Sequence, residues 1–350
     1  MKFLNLFNPF FWLAFFTLAL TAATPASKGR GYIERANVLT GVGLNNSAPT
    51  VFGKEIPLGE GWYKATIRYN LAVTIGTGTT PIAEGELLIC QNVMLRTDRG
   101  EILCNLPGRA LYKIATYLTG QPPRKDAIAA ATATYRVNLP IIFADNKMNR
   151  PEDTILDTNR YNSITLQMTM GGVAQLFTTV GTSSVIQTMD MEVERSLGQL
   201  PKEAQPYFHV SFDFRQPVDA ATTTNIELEK SPDAAIKRLY VHSSSGGTAG
   251  LPFGGVNADD VQSIITLKDQ NRFIEKERIH AMIQDMNKLD AMLETIIVGI
   301  EVFDFVRDGA IQSALATGNK SVLQYSWTNV AGVAANDIVT LAAEMVRSLK

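Results

Sequence analysis

The second half of the chain repeats the layout of the first, which restricts it to folds that build one unit twice. Leu95-Arg96-Thr97-Asp98 corresponds to Leu267-Lys268-Asp269-Gln270 at an offset of 172. Ile142-Phe143-Ala144-Asp145 corresponds to Phe305-Val306-Arg307-Asp308 at 163, and Ser163-Ile164 to Ser321-Val322 at 158. Arg195-Ser196-Leu197 corresponds to Arg347-Ser348-Leu349 at 152. A steadily falling offset is what longer loops in the first copy produce, whereas chance matches would scatter. The repeat places the boundary near Leu197–Gln199.

Hydrophobic periodicity makes each unit β-rich. Tyr63, Ala65, Ile67, Tyr69, Leu71, Val73 and Ile75 lie on one face of a predicted strand, with Lys64, Thr66, Arg68, Asn70 and Thr74 on the other. Period-two alternation of this length is the mark of a half-buried strand. Ile164, Leu166, Met168 and Met170 repeat it, as do Phe208, Val210, Phe212 and Phe214. Short strands separated by Gly, Pro, Asn and Thr loops predict a sandwich or barrel. One helix is expected per unit. Leu111, Ile114, Ala115 and Leu118 mark the first, with Asn105 and Pro107 before it and Gly120 as its stop; Ile279, Met282, Ile283, Met286, Leu289 and Leu293 mark the second. The run Ile338 to Leu349 fits helical spacing through Ile338, Leu341, Ala342, Met345 and Leu349. Its counterpart Met189, Met191 and Val193 alternates, so the C-terminal run is assigned as a strand.

At 350 residues the chain accommodates two ordinary domains. Its charged fraction of 19% is below the roughly 25% typical of soluble domains, as expected where surface is buried against neighbouring subunits. The formal net charge is −2 and there is no long Lys/Arg run, which argues against direct binding to a nucleic-acid backbone. The short basic stretches Lys28-Gly29-Arg30 and Pro123-Arg124-Lys125 are read as solvated loops. Cys90 and Cys104 have no metal-ligand spacing and are expected as buried, reduced thiols.

Residues 1–31 form an apolar segment and linker. The 15 residues from Pro9 to Ala23 would make a helix about 22 Å long, shorter than the roughly 30 Å bilayer core. Asn8-Pro9 is a helix-start pair. Two readings are open. Small residues at Thr21 and Ala23 fit the cleavage site of a signal peptide. Alternatively the segment is retained as an anchor, and this is the expectation adopted. Its membrane-contacting residues would be Phe3, Leu4, Phe7, Phe10, Phe11, Trp12, Phe15, Phe16, Leu18 and Leu20.

Little in the body points to chemistry. The histidines are His209, His242 and His280, and no pair has HxH or HExxH spacing, so a zinc site is not expected and each is read as structural. Ser243-Ser244-Ser245-Gly246-Gly247-Thr248-Ala249-Gly250 lacks the Lys-Ser/Thr of a phosphate loop and is read as a mobile surface loop. The acidic clusters Pro151-Glu152-Asp153 and Asp259-Asp260 are read as turns. No catalytic residue, cofactor or metal ligand is assigned. Two copies of one β unit behind an apolar segment point to a building block rather than an enzyme.

These features resemble the double jelly-roll major capsid proteins of tailless, membrane-containing icosahedral bacteriophages. The local text carrying the resemblance is Leu139-Pro140-Ile141-Ile142-Phe143-Ala144-Asp145, Arg150-Pro151-Glu152-Asp153-Thr154, Tyr161-Asn162-Ser163-Ile164-Thr165-Leu166 and Leu267-Lys268-Asp269-Gln270-Asn271-Arg272-Phe273-Ile274. The resemblance covers roughly residues 32–350. It implies a mainly β fold of two tandem jelly-roll β-barrels, residues 32–198 and 199–350, each with one inserted helix, behind an N-terminal apolar helix. It also implies a virion structural protein, with pseudo-hexameric homotrimers tiling an icosahedral shell over an inner membrane. Implied partners are further copies of the chain, minor capsid and vertex proteins, and the viral inner membrane through the N-terminus, without direct nucleic-acid binding. Residues 41–57, 119–127 and 248–260 are the candidate contact loops. The apolar segment departs from the shorter, more polar arms of the family. The alternative is a secreted or surface-attached β-sandwich binding or adhesin protein with a cleaved signal peptide.

Overall fold

The computed structural model describes residues 33–44, 50–52, 61–196, 207–217, 223–228, 234–245, 256–257, 261–269, 272–318, 323–330 and 337–347. The N-terminal segment, Lys28-Gly29-Arg30 and the boundary at 197–199 lie outside them. The first half runs β1 (Ile33–Gly43), β2 (Thr50–Phe52), β3 (Gly61–Thr74), α1 (Gly85–Leu88), β4 (Cys90–Thr97), β5 (Ile102–Leu106), α2 (Gly108–Thr119), β6 (Ala133–Ile142), β7 (Leu156–Asp157), β8 (Ile164–Met170) and β9 (Ser184–Ser196). The second runs β10 (Tyr207–Pro217), β11 (Thr223–Glu227), β12 (Ala234–Ser245), β13 (Val256–Asn257), β14 (Gln262–Asp269), β15 (Arg272–Ile279), α3 (His280–Asp290), β16 (Ile300–Asp304), β17 (Leu315–Ala316), β18 (Leu323–Asn329) and β19 (Ile338–Arg347).

Both halves pair their strands in the same order. The first contains β1-β9-β3-β6 and β2-β8-β4-β5; the second contains β10-β19-β12-β16 and β11-β18-β14-β15. Setting aside the two-residue strands β7, β13 and β17, each half has a first-last-third-sixth sheet and a second-seventh-fourth-fifth sheet. In each, a helix is inserted between the fifth and sixth strands: α2 in the first, α3 in the second; the first half also carries the one-turn helix α1 before β4, so it departs from the expected single helix per unit. The sheets join across the halves through one parallel bridge, Val210 to Cys104.

The alternation over residues 63–75 becomes β3, where Ala65, Ile67, Tyr69 and Leu71 are fully buried. Tyr63 departs from the expected inward face and is half-buried, while Trp62 is buried instead. The register against β9 slips between Trp62 and Lys64; such a bulge reverses which residues point inward. β8 and β9 follow their predicted alternation, with Ile164, Leu166, Met168 and Met170, and Met189, Met191 and Val193, all buried. The C-terminal run is a strand, paired with β10 and β12.

α2 buries Leu111, Ile114, Ala115 and Leu118 and stops at Gly120, whose φ of 71° is left-handed and suits glycine. α3 differs from expectation. Ile279 is the last residue of β15, and of the marked stripe only Ile283 is buried, while Met282 is 56% and Leu289 76% exposed. The loop expected from Ser243 also begins later: β12 continues to Ser245, with Ser243 and Ser244 buried, and 246–250 lie outside the described residues.

Two hydrophobic cores result. The first joins both sheets of the first half and includes four residues from the facing sheet of the second: Tyr240, Ile300, Val302 and Ala342. Their strand neighbours Leu239, Val241, Phe303, Leu341 and Ala343 enter the second core. The β12–β16–β19 layer is therefore buried on both faces, each parity serving a different core.

Candidate assembly surfaces

Polar chemistry in the described residues concentrates at this junction between halves. Lys237 and Arg238 of β12 are fully buried, with Asp145 and Glu344 only 1% exposed. The Lys237 Nζ lies 3.1 Å from Asp145 Oδ2 and 2.5 Å from Glu344 Oε1. The Arg238 guanidinium donates through Nη1 to Asp145 Oδ2 at 2.5 Å and through Nε to Asp304 Oδ2 at 2.7 Å. Tyr240 Oη donates to Glu344 Oε2 at 2.8 Å, and Tyr117 Oη to Asp304 Oδ2 at 3.3 Å. Successive β12 residues reach this cluster because a register irregularity lies between Ile236 and Arg238.

Burial alone would raise the Asp145 pKa, but Lys237 and Arg238 outweigh it and hold the carboxyl well below its usual range. Burial, helped by Arg238, lowers the Lys147 ammonium to about 8 against the pull of Asp304, Asp145 and Asp290. Lys147 Nζ sits 3.6 Å from the Tyr117 ring centroid and donates to the Asp290 carbonyl. Asp145 and Lys147 belong to the first half and Lys237, Arg238, Asp304 and Glu344 to the second, so the cluster clamps the halves together. Contacts to backbone carbonyls extend it. Lys113 Nζ donates to Val298 O at 2.6 Å, and Asn149 donates through Nδ2 to Asp308 O and through its backbone N–H to Gly309 O.

The other sequence candidates are likewise absorbed by structure. Cys90 and Cys104 are free and buried, and burial pushes each thiol up to about 12. His242 is fully buried in β12, and His280 opens α3 against the Glu301 carboxylate. The His209 backbone pairs with Met345. Lys125 corrects the solvated-loop expectation: its ammonium pairs with Glu86, which is 1% exposed, while Arg124 does remain exposed. Asp153 pairs with Arg150 in a short turn; Asp259-Asp260 lie outside the described residues. Among the described residues no cluster of His, Cys, Asp and Glu could hold a metal ion.

Most of the exposed large apolar side chains among the described residues lie in the second half. Phe273, Ile279, Met282, Leu289 and Met292 are all 49% or more exposed. A cleft of about 750 Å³ runs beside α2 at the junction, between Tyr112, Thr116 and Pro122 on one side and Met292, Leu293 and Ile297 on the other. Of the candidate contact loop 119–127, Gly120, Gln121 and Pro122 line this cleft; most of 41–57 and 248–260 lies outside the described residues. Sequence reasoning missed the ion cluster because its members are spread from Asp145 to Glu344 and look individually like surface charges. The one available signal was Lys237-Arg238 interrupting the otherwise apolar run from Ala234 to Val241.

Comparison with solved structures places this fold among viral major capsid proteins. The major capsid protein of bacteriophage PM2 aligns at a TM-score of 0.60 and 11% identity, covering 91% of this chain and 98% of that one. The capsid protein of Sulfolobus turreted icosahedral virus aligns at 0.65 and 14%, covering 91% and 97%. A PBCV-1 capsid chain aligns at 0.62 and 15%, covering 91% and 95%. The chain thus has the fold of the major capsid proteins of double jelly-roll icosahedral viruses. No family model matches its sequence. No curated protein matches it either.

Proposed function

We propose that the chain is a major capsid protein: a structural, non-enzymatic virion component built as two tandem jelly rolls, residues 32–198 and 199–350. Three copies form a pseudo-hexameric capsomer, and capsomers tile an icosahedral shell. The observation that carries this reading is the repeated strand order joined by a buried interface, because two like units locked in one chain let a trimer present six similar lobes. The fold shared with capsid proteins of PM2 and the Sulfolobus virus supports it. Light scattering and negative-stain imaging of the purified full chain test it: trimers with hexagonal outline are expected, and a monomer persisting at high concentration would refute it.

The apolar segment completes the proposal. Phe3, Leu4, Phe7, Phe10, Phe11, Trp12, Phe15, Phe16, Leu18 and Leu20 contact an inner membrane beneath the shell. Vesicle flotation of the full chain against a chain lacking residues 1–31 tests this. Only the full chain should float, and an intact mass starting near Ala23 or Thr24 in virions would overturn retention.

A further inference from the structure

The cleft beside α2 is built from both halves, and neither core nor the ion cluster fills it. Its volume of about 750 Å³ falls within the roughly 300–1,000 Å³ typical of small-molecule sites, which favour domain junctions. Its backbone is strained. Among the described residues three non-glycine positions are left-handed, and two of them, Glu84 at φ 56° and Met292 at φ 54°, line this cleft. Met292 follows α3 as Gly120 follows α2, at the same offset of 172 seen between β4 and β14. Gly120 lines the cleft too, so both helix ends open onto it. Left-handed strain of this kind persists where the surroundings fix it, and it gathers at ligand clamps.

The chemistry of the walls selects the ligand. Glu84 comes from the first half, just before α1, and Glu294 from the second, in the loop after α3. The Glu84 side chain is 25% exposed and pairs with Arg109, which lies behind the wall at 2%. Glu294 is exposed. The ammonium of Lys113 is held by the Val298 carbonyl at 2.6 Å, so an anion would have to displace that bond. The Tyr112 ring already carries a cation, the Lys125 ammonium 5.6 Å from its centroid. Burial, with the Glu84 and Glu86 charges, pushes the Tyr112 hydroxyl up to about 12, which marks the field at this wall as negative. Pro122, Leu293 and Ile297 supply apolar surface to the same cleft.

We propose that the cleft binds a linear aliphatic diamine or polyamine, with one ammonium on Glu84, another on Glu294 and the methylene chain over Pro122, Leu293 and Ile297. An apolar stem on apolar surface with its charged end in a polar setting is how a lysine side chain packs; here the stem is charged at both ends. One carboxylate belongs to each half, so the bound amine bridges the halves and stabilises their junction by mass action.

Isothermal titration calorimetry of the full chain with spermidine tests this, with hexanediol and glutarate as neutral and anionic comparisons. One spermidine per chain is expected, with a melting temperature that rises with spermidine concentration. Glu294→Gln removes a charge at an exposed position and should weaken spermidine about fivefold. Asp285→Asn, an equal loss of charge on the exposed side of α3, should leave the affinity unchanged. Absence of saturable spermidine binding, or an affinity equal in the parent and Glu294→Gln, overturns the proposal. So does equal weakening by both substitutions, which would mark spermidine as a general counterion. Hexanediol or glutarate binding as tightly as spermidine would refute the cationic ligand.

Discussion

Asp145 shows how much one side chain does at the junction. Its carboxylate receives both Lys237 and Arg238 with almost no solvent access. Removing one partner of a buried pair leaves the others uncompensated, at a cost of about 3–5 kcal/mol. Asp145→Asn should therefore lower the urea midpoint by that scale of stability while keeping the strand content. The native pKa is depressed, so the unfolded chain binds more protons as pH falls below the unfolded value of about 4. The contribution of Asp145 is present above that value and is lost as pH drops through the lower native value. Urea melts at about pH 6 and pH 3 should show a steeper loss in the parent than in Asp145→Asn; equal losses would remove Asp145 from the account.

At the scale of elements, α2 and α3 are one helix in two contexts. Gly120 is left-handed, and a Cβ there would stand 2.7 Å from the Ala291 carbonyl oxygen across the junction. Gly120→Ala should cost about 1–3 kcal/mol through strain and that clash. Its counterpart Met292 is left-handed with a side chain 89% exposed. There Met292→Gly should stabilise by up to about 1 kcal/mol, because left-handed strain is relieved and no packing is lost. Thermal melts of the two variants should move in opposite directions. The helices themselves were legible in the sequence from 3.6-residue spacing. Which face of α3 is buried was not, because Met282 and Leu289 look apolar whether they face a core or another molecule. β3 was legible except at Tyr63, since a bulge against β9 leaves no mark on alternation.

For the whole molecule the consequence is cooperativity. Tyr240, Ile300, Val302 and Ala342 belong to strands of the second half yet sit in the core of the first. Melting the second half would uncover Tyr117 and leave Asp145 without its cations. Calorimetry of the full chain should give a single transition whose calorimetric and van't Hoff enthalpies agree. Two well-separated transitions would mean that the junction transmits little stability.

The sequence by itself determined that the chain is β-rich, that its layout occurs twice, where the two helices lie, and that the C-terminal run is a strand. These follow from side-chain period and from the order of short matches, both properties of the chain read locally. Only the tertiary structure decided what the two units do to each other. The strand order, the layer buried on both faces, and the meeting of Asp145 with Lys237, Arg238 and Glu344 depend on residues far apart in the chain. A local pattern records which side chains share a face, but the energy of a buried charge or an apolar stripe depends on what that face meets. Lys237-Arg238 reads like a surface pair and is a buried clamp, while Leu289 reads like core and stands in solvent.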